Sequence, residues 1–472
     1  MAAEDDAVLD YFLTTTAASR LAEMDAFLVL GRKGSGKTAL VRHLSESGAF
    51  GLSKSLNLRG YPWSVHASRV DSGASDIEAY VASWRYLLCV ELASLVLSTG
   101  HASGSNDAQI LTRFLNDNYG GVHPELGVLL RPKAIRLSKA SFEPQVLGNK
   151  LGGISFERPA GDSGLGIELD ALSQSVLNTT LSLCDRLGVD SLSLHFDELD
   201  HGLSQLDDSK KRMFIGLILA ARSLRIDTKI FQTKINPVIY LRTDIWDDIE
   251  FSDKNKISES HAIDLTWDDE ALMALVNERL RARLGGSADW GSVIDEQLMR
   301  GAQPKWNHVL SRTFLRPRDV IKFLNEALSQ AKTRADEPLL LGNSDIVSAR
   351  DGYSSYLKKE LDDEVLPHWS RWSEALQACS ALSTVTFERS AFEAEYSSRK
   401  SKDNVVGVDE ALELLYSFSV IGYERRSGYG GSSWVFQYSD PQAGWDRSAS
   451  RFKVHLGLKE YAKLREERIK AE

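Results

Sequence analysis

The clearest chemistry in the chain lies in Gly31-Arg32-Lys33-Gly34-Ser35-Gly36-Lys37-Thr38. These residues satisfy the pattern G-x-x-x-x-G-K-[ST], in which each fixed position has a physical task. Glycines let successive backbone N–H groups turn inward around phosphate oxygens, and a helix beginning there presents its positive end to the same anion. Lys37 offers a cation to β- and γ-phosphates, and Thr38 offers a hydroxyl to Mg2+. Gly31, Lys33, Gly34, Ser35 and Gly36 complete the cradle. In background composition the four fixed positions coincide in roughly one or two per cent of chains this long. The expected ligands are therefore ATP and Mg2+.

A second set of groups supplies what such a site needs for hydrolysis. Asp197-Glu198-Leu199-Asp200 follows a strand-like run, so Asp197 is placed to hold the metal ion and Glu198 to polarise water. An Asp followed at once by Glu favours attack by water over transfer to a small molecule. Arg242-Thr243-Asp244 ends another strand-like run, where Arg242, and Thr243 after it, would stand near the terminal phosphate. Arg316-Pro317-Arg318-Asp319 opens a later helix, and Arg318 could reach the nucleotide from there. His195 reads as a packed strand residue and Asp200 as a cap for the following helix. Tyr61-Pro62-Trp63 and Trp84-Arg85-Tyr86 read as core aromatics.

The elements that must position these groups can be read from periodicity. Residues 26–30 form a wholly apolar run leading into the glycine loop, and Ala39, Leu40, Val41 and Leu44 follow at helical spacing. The run 238–241 reads as a second central strand, and 191–196 as a weaker one with Leu192, Leu194 and Phe196 alternating. Together these imply an α/β fold, a three-layer αβα sandwich around a parallel sheet. Residues 77–97 carry a helical stripe through Tyr80, Trp84, Leu88, Leu92 and Leu95. From 98 to 166 the chain turns rich in Gly, Ser, Asn and Pro, which indicates an insertion. Beyond it, Thr266-Trp267-Asp268-Asp269 resembles a capping box, and a further stripe runs through Val320, Phe323, Leu324, Ala327 and Leu328. Helices around 376–382 and 408–415 precede two strand-like segments, 420–426 and 434–438, joined by a glycine-rich tip. This is the pattern of a winged helix. The expected domains are an ATPase core over 1–255, a helical lid over 256–360 and a winged-helix domain over 361–472.

A chain of 472 residues is too long for one core. Its formal charge of −10 disfavours a surface built for non-specific nucleic-acid binding. Cys89, Cys184 and Cys379 are far apart, so neither a zinc site nor a disulfide framework is expected. The acidic start, Met1-Ala2-Ala3-Glu4-Asp5-Asp6, is unlike a signal peptide, no apolar run is expected to approach the span of a bilayer, and the cytoplasm is the expected compartment.

In their order, the strings FLVLGRKGSGKTAL, HFDELD, YLRTDIW and FLRPRDVI resemble a group of bacterial P-loop ATPases near the AAA+ and STAND divisions. The layout is also similar to that of origin-recognition ATPases. The resemblance implies a Walker A role for Lys37 and Thr38 and a Walker B role for Asp197 and Glu198. It further implies a sensor-1-like Arg242, a sensor-2-like Arg318, a helical lid and a C-terminal winged helix. The 160 residues between Lys37 and Asp197 exceed what a plain core requires, and 98–166 accounts for the excess. The implied function is an ATP-dependent switch acting on a protein partner or on copies of itself, as in stress or antiviral defence. DNA binding through the winged helix is the alternative, with Arg425, Arg426, Arg451 and Lys453 as the local patch.

Overall fold

Short apolar runs ending in turn residues build the parallel sheet, as their composition implies. The computed structural model describes residues 7–48, 51–59, 76–100, 104–129, 145–146, 149–150, 165–201, 206–334, 339–426 and 431–466. Two units are distinguished, one of residues 14–31 with 37–265, the other of 1–13 with 32–36 and 266–472.

In the first unit, β1 (Leu28–Leu30), β2 (Leu52–Asn57), β3 (Ser191–Asp197), β4 (Lys234–Leu241) and β5 (Ala262–Asp264) form one sheet in the order β2-β3-β4-β1-β5. Every pairing is parallel. The acidic strand β3 is thus separated from β1 by β4, whose Val238 and Ile239 pair with His195 and Phe196. Buried residues fill both faces of β1, β3 and β4, which explains their near-continuous hydrophobic reading. Edge strand β2 reads LSKSLN with only Leu56 buried, so it carries too little apolar periodicity to be seen in the sequence. His195 is packed as expected, with Nδ1 2.9 Å from the Tyr240 hydroxyl and Nε2 2.9 Å from Ser53 Oγ.

Helix α1 (Lys37–Glu46) follows the glycine loop. Helix α2 (Asp76–Leu97) departs from the expectation that no run is long enough to span a bilayer: 77–97 has a mean hydropathy of 1.4 and passes by length and composition. That window is 89% buried inside the fold. A helix apolar on all sides needs partners all round, and α2 packs on α4 (Leu165–Leu187) and α5 (Asp208–Asp227). Trp84 Nε1 there donates to Met213 O at 3.0 Å. Between α2 and α4 lies α3 (Asn106–Tyr119), capped by Ser105 Oγ. Part of the expected insertion, residues 101–103, 130–144, 147–148 and 151–164, falls outside the described residues, as does Tyr61-Pro62-Trp63.

The second unit is helical at first. Helix α7 (Asp269–Leu284) is capped by Asp268, whose side chain accepts from Ala271 N at 2.8 Å. Helix α8 (Pro317–Ala331) begins with proline, whose fixed φ and missing N–H suit the first turn. Its buried stripe is Val320, Phe323 and Ala327, while Leu328 at the margin is exposed. It packs on α9 (Asn343–Val365), where the Phe323 and Tyr353 rings lie 5.0 Å apart. Then come α10 (Trp372–Ala381), β6 (Thr386–Glu388), α11 (Arg389–Arg399), α12 (Val408–Ser417), β7 (Ile421–Arg426), β8 (Ser432–Val435) and β9 (Arg451–Val454). This is a winged-helix arrangement with an antiparallel sheet ordered β8-β7-β9-β6. The expected hairpin is β7 with β8, and its tip, 427–430, lies outside the described residues. Strand β9 inserts between β7 and β6, which hairpin reasoning alone does not foresee.

Candidate functional site

The flanks of the glycine loop belong to the sheet unit. Gly31 continues β1 and donates its N–H to Leu241 O at 3.2 Å. Lys37 opens α1 and turns back to donate from Nζ to Gly31 O at 2.7 Å. Burial lowers its pKa to about 8, although Asp200 and Asp197 oppose the shift. A desolvated ammonium of this kind is poised for an anion. Thr38, the next residue, hydrogen-bonds the Asp197 side chain. The two expected metal-binding groups are therefore in direct contact. Burial raises the Asp197 pKa, with the Thr38 bond and the Glu198 N–H to Oδ1 bond at 2.9 Å acting against it.

Glu198 has φ of +57°, in the left-handed region that costs a non-glycine residue roughly 1–2 kcal/mol. The chain turns sharply there, directly after β3. Arg59, two residues beyond β2, holds the Glu198 carboxylate, with Nε 3.2 Å from Oε2. Arg242 ends β4 and is 6% exposed; its Nε donates to Asp244 Oδ1 at 2.9 Å and its Nη1 to Asp200 Oδ2 at 3.3 Å. Asp200 is thus a partner of Arg242 and not the expected helix cap. That cap is Asp207, which accepts from Lys210 N at 2.9 Å at the start of α5. Thr243 is the first residue of α6 (Thr243–Asp248).

The loop apex, Arg32–Gly36, belongs to the second unit. Gly34 (φ +81°) and Gly36 (φ +103°) occupy backbone conformations that favour glycine. Three successive carbonyls are anchored there: Lys33 O by Arg316 Nη1 at 2.7 Å, Gly34 O by Arg318 N at 3.3 Å, and Ser35 O by Trp267 Nε1 at 2.7 Å. In a trans peptide the N–H points opposite the C=O, so the N–H groups of Gly34 and Gly36 turn away from those anchors. Ser35 N–H closes the loop on Arg32 O at 3.1 Å. Ser35 Oγ is buried without a hydrogen-bond partner among the described residues. A Cβ on Gly34 would come to 3.0 Å from Arg318 Cβ, so this side of the loop is closely packed. The Arg318 guanidinium lies 3.4 Å from Glu360 Oε2, and Lys33 Nζ is 3.5 Å from the same carboxylate oxygen.

Within the sheet unit, a desolvated lysine beside a Thr–Asp pair fits a phosphate group and its metal ion. Thr38 and Asp197 are the residues that would hold Mg2+. The sheet unit thus brings together Lys37, Thr38, Asp197 and Arg242, with Glu198 adjoining them in sequence. Arg318 is placed by its own unit against Gly34.

Residues 270–362 match the family described as the FunZ-associated C-terminal helical domain. Over 362 residues the chain is 24% identical to the 80.3 kDa protein ascribed to transposon gamma-delta in Escherichia coli (strain K12), covering 73% of this chain. The chain spans about half, 47%, of that relative's length. Among solved structures it is similar to the Aeropyrum pernix ORC2 protein at TM-score 0.44 and 12% identity, over 98% of this chain and 96% of that one. Cdc6p from Pyrobaculum aerophilum gives TM-score 0.31 and 12% identity, over 97% of each chain.

Two groups escaped sequence reasoning. Arg59 follows the unrecognised edge strand β2, so nothing in its neighbourhood marked it. Arg32 occupies a variable position of the loop pattern, which gives no hint of its partners in α9 and beyond α12.

Proposed function

We propose that this chain binds and hydrolyses ATP with Mg2+ and acts as a switch whose nucleotide state controls a protein partner or an assembly of its own copies. The observation that carries this reading is the buried Lys37, with a pKa near 8, beside the bonded Thr38–Asp197 pair. Loop amides would bind the phosphates, and Lys37 would neutralise charge on them. Mg2+, when bound, withdraws charge from the phosphate oxygens. Glu198 would orient water and accept its proton, and Arg242 would hold the end of β4 in place through Asp200 and Asp244. Phosphate release by the wild type and by Glu198→Gln tests the hydrolytic role. A loss of about a hundredfold or more is expected for removal of a general base, with ATP affinity kept. Unchanged release by Glu198→Gln would remove Glu198 from that role.

DNA binding by the wing is the second reading. Its supporting observation is Trp434 on β8, with Arg451 Cζ at 5.9 Å and Lys453 Nζ at 5.7 Å from the ring centre. Acidic neighbours weigh against it: Arg451 lies 3.7 Å from Glu424, and Arg425 lies 3.4 Å from Asp440. The local charge is largely neutralised, which favours a protein contact. Affinity for duplex DNA against salt separates the two, since phosphate contacts give a steep loss as salt rises.

A further inference from the structure

We propose that Arg32, at a variable position of the phosphate loop, is a positioning residue that reports the loop's state to the winged helix. The proposal deepens the ATP-site reading and rests on it. Arg32 reaches three groups of its own unit. Its Nη2 donates to Glu364 Oε2 near the end of α9 at 2.7 Å and to Phe418 O at 3.1 Å, and its Nη1 donates to Ser419 Oγ at 3.1 Å. Its guanidinium also stacks on Phe314, with Cζ 4.6 Å from the ring centre.

The acceptors form a constrained turn. Ser419 lies between α12 and β7, is fully buried and has φ of +61°. Its hydroxyl oxygen also accepts from Tyr438 N at 3.0 Å, so one atom ties the α12–β7 turn to the segment after β8. Charge makes Arg32 hard to replace. Arg316 donates to Glu364 from Nη1 and to Asp319 from Nε at 2.8 Å, and Arg316, Glu364 and Asp319 are all almost fully buried. Two guanidinium groups therefore balance two carboxylates, and withdrawing Arg32 would leave a buried negative charge in excess. Burial alone would lower the Arg316 pKa, but Asp319 and Glu364 raise it well above its ordinary value.

Arg316 also holds Lys33 O, so the same ion cluster grips the loop at two successive residues. A nucleotide that resets the loop backbone around its phosphates must move Arg32 or strain its bonds. Differential contact of this kind is what shifts a coupled equilibrium.

Hydrogen exchange on the full chain, with and without ATP and Mg2+, tests the proposal in wild type and in Arg32→Met. In wild type, ATP is expected to change exchange of amides over 414–423 and 436–440 by threefold or more. Arg32→Met is expected to bind ATP within about tenfold of wild type while losing that response. A residue that merely stabilised the fold would lower Tm and leave the response intact. Arg32→Lys, which keeps the charge but cannot span three acceptors, should also lose the response, and it serves if the methionine variant does not fold. A full response in either variant would overturn the proposal while leaving the ATP site standing. Absence of ATP binding by the wild type would overturn both.

Discussion

Among single residues, Lys37 carries the charge on which phosphate binding depends. Its pKa in the free protein is lowered from 10.5 to about 8, so the ammonium needed for phosphate is lost as pH rises through that value. ATP affinity is expected to be flat below about pH 7 and to fall toward tenfold per unit above about pH 8, as calorimetric titration across pH would show. The linked stability has the opposite direction: the folded state binds fewer protons than the unfolded state between pH 8 and 10.5, so the free protein gains stability over that window. Glu198 is held by Arg59, whose side chain is 53% exposed. Arg59→Ala is expected to free the carboxylate and raise phosphate release with ATP affinity unchanged. An exposed pair worth about 0.2–1 kcal/mol limits that gain to roughly fivefold. Slower release in this variant would show that Arg59 positions Glu198 productively.

At the scale of elements, the strand ends and the loop decide the site. Gly34→Ala must adopt φ of +81° and bring its Cβ to 3.0 Å from Arg318 Cβ. A cost of roughly 1–2 kcal/mol is expected, read as a Tm lower by several degrees together with weakened ATP binding. Arg242→Ala would remove the cation that Asp200 and Asp244 share at the end of β4, a loss on the order of 2 kcal/mol, measurable by urea unfolding. The glycine loop, β1, β3 and β4 were legible because fixed residue types and apolar runs declare them without reference to distant chain. Edge strand β2 was not legible, and Arg59 was missed with it. Ser53 and Lys54 face partners that only the fold reveals, His195 Nε2 at 2.9 Å and Glu91 at 2.7 Å. Asp200 was misread for a related reason: an acid after a strand is a plausible helix cap until the helix proves to start at Asp208.

At the scale of the whole molecule, the two-unit division cuts through the phosphate loop itself, giving Arg32–Gly36 to one unit and Gly31 and Lys37 to the other. Sequence patterns give each unit's elements but not the partners of variable loop positions, because Arg32 and Glu364 are 332 residues apart. For the same reason the pairing of β9 with both β7 and β6 was invisible, while the three α/β strands and the winged-helix helices were read from local periodicity. On the proposed function, the loop around Lys37 grips a nucleoside triphosphate. Calorimetric titration of ATP with Mg2+ into wild type and Lys37→Ala, at neutral pH, tests it most directly. Saturable one-site binding by the wild type, weakened by about a hundredfold or more in the variant, is the expected result. Equal affinity in the two proteins, or no heat in either, would contradict it.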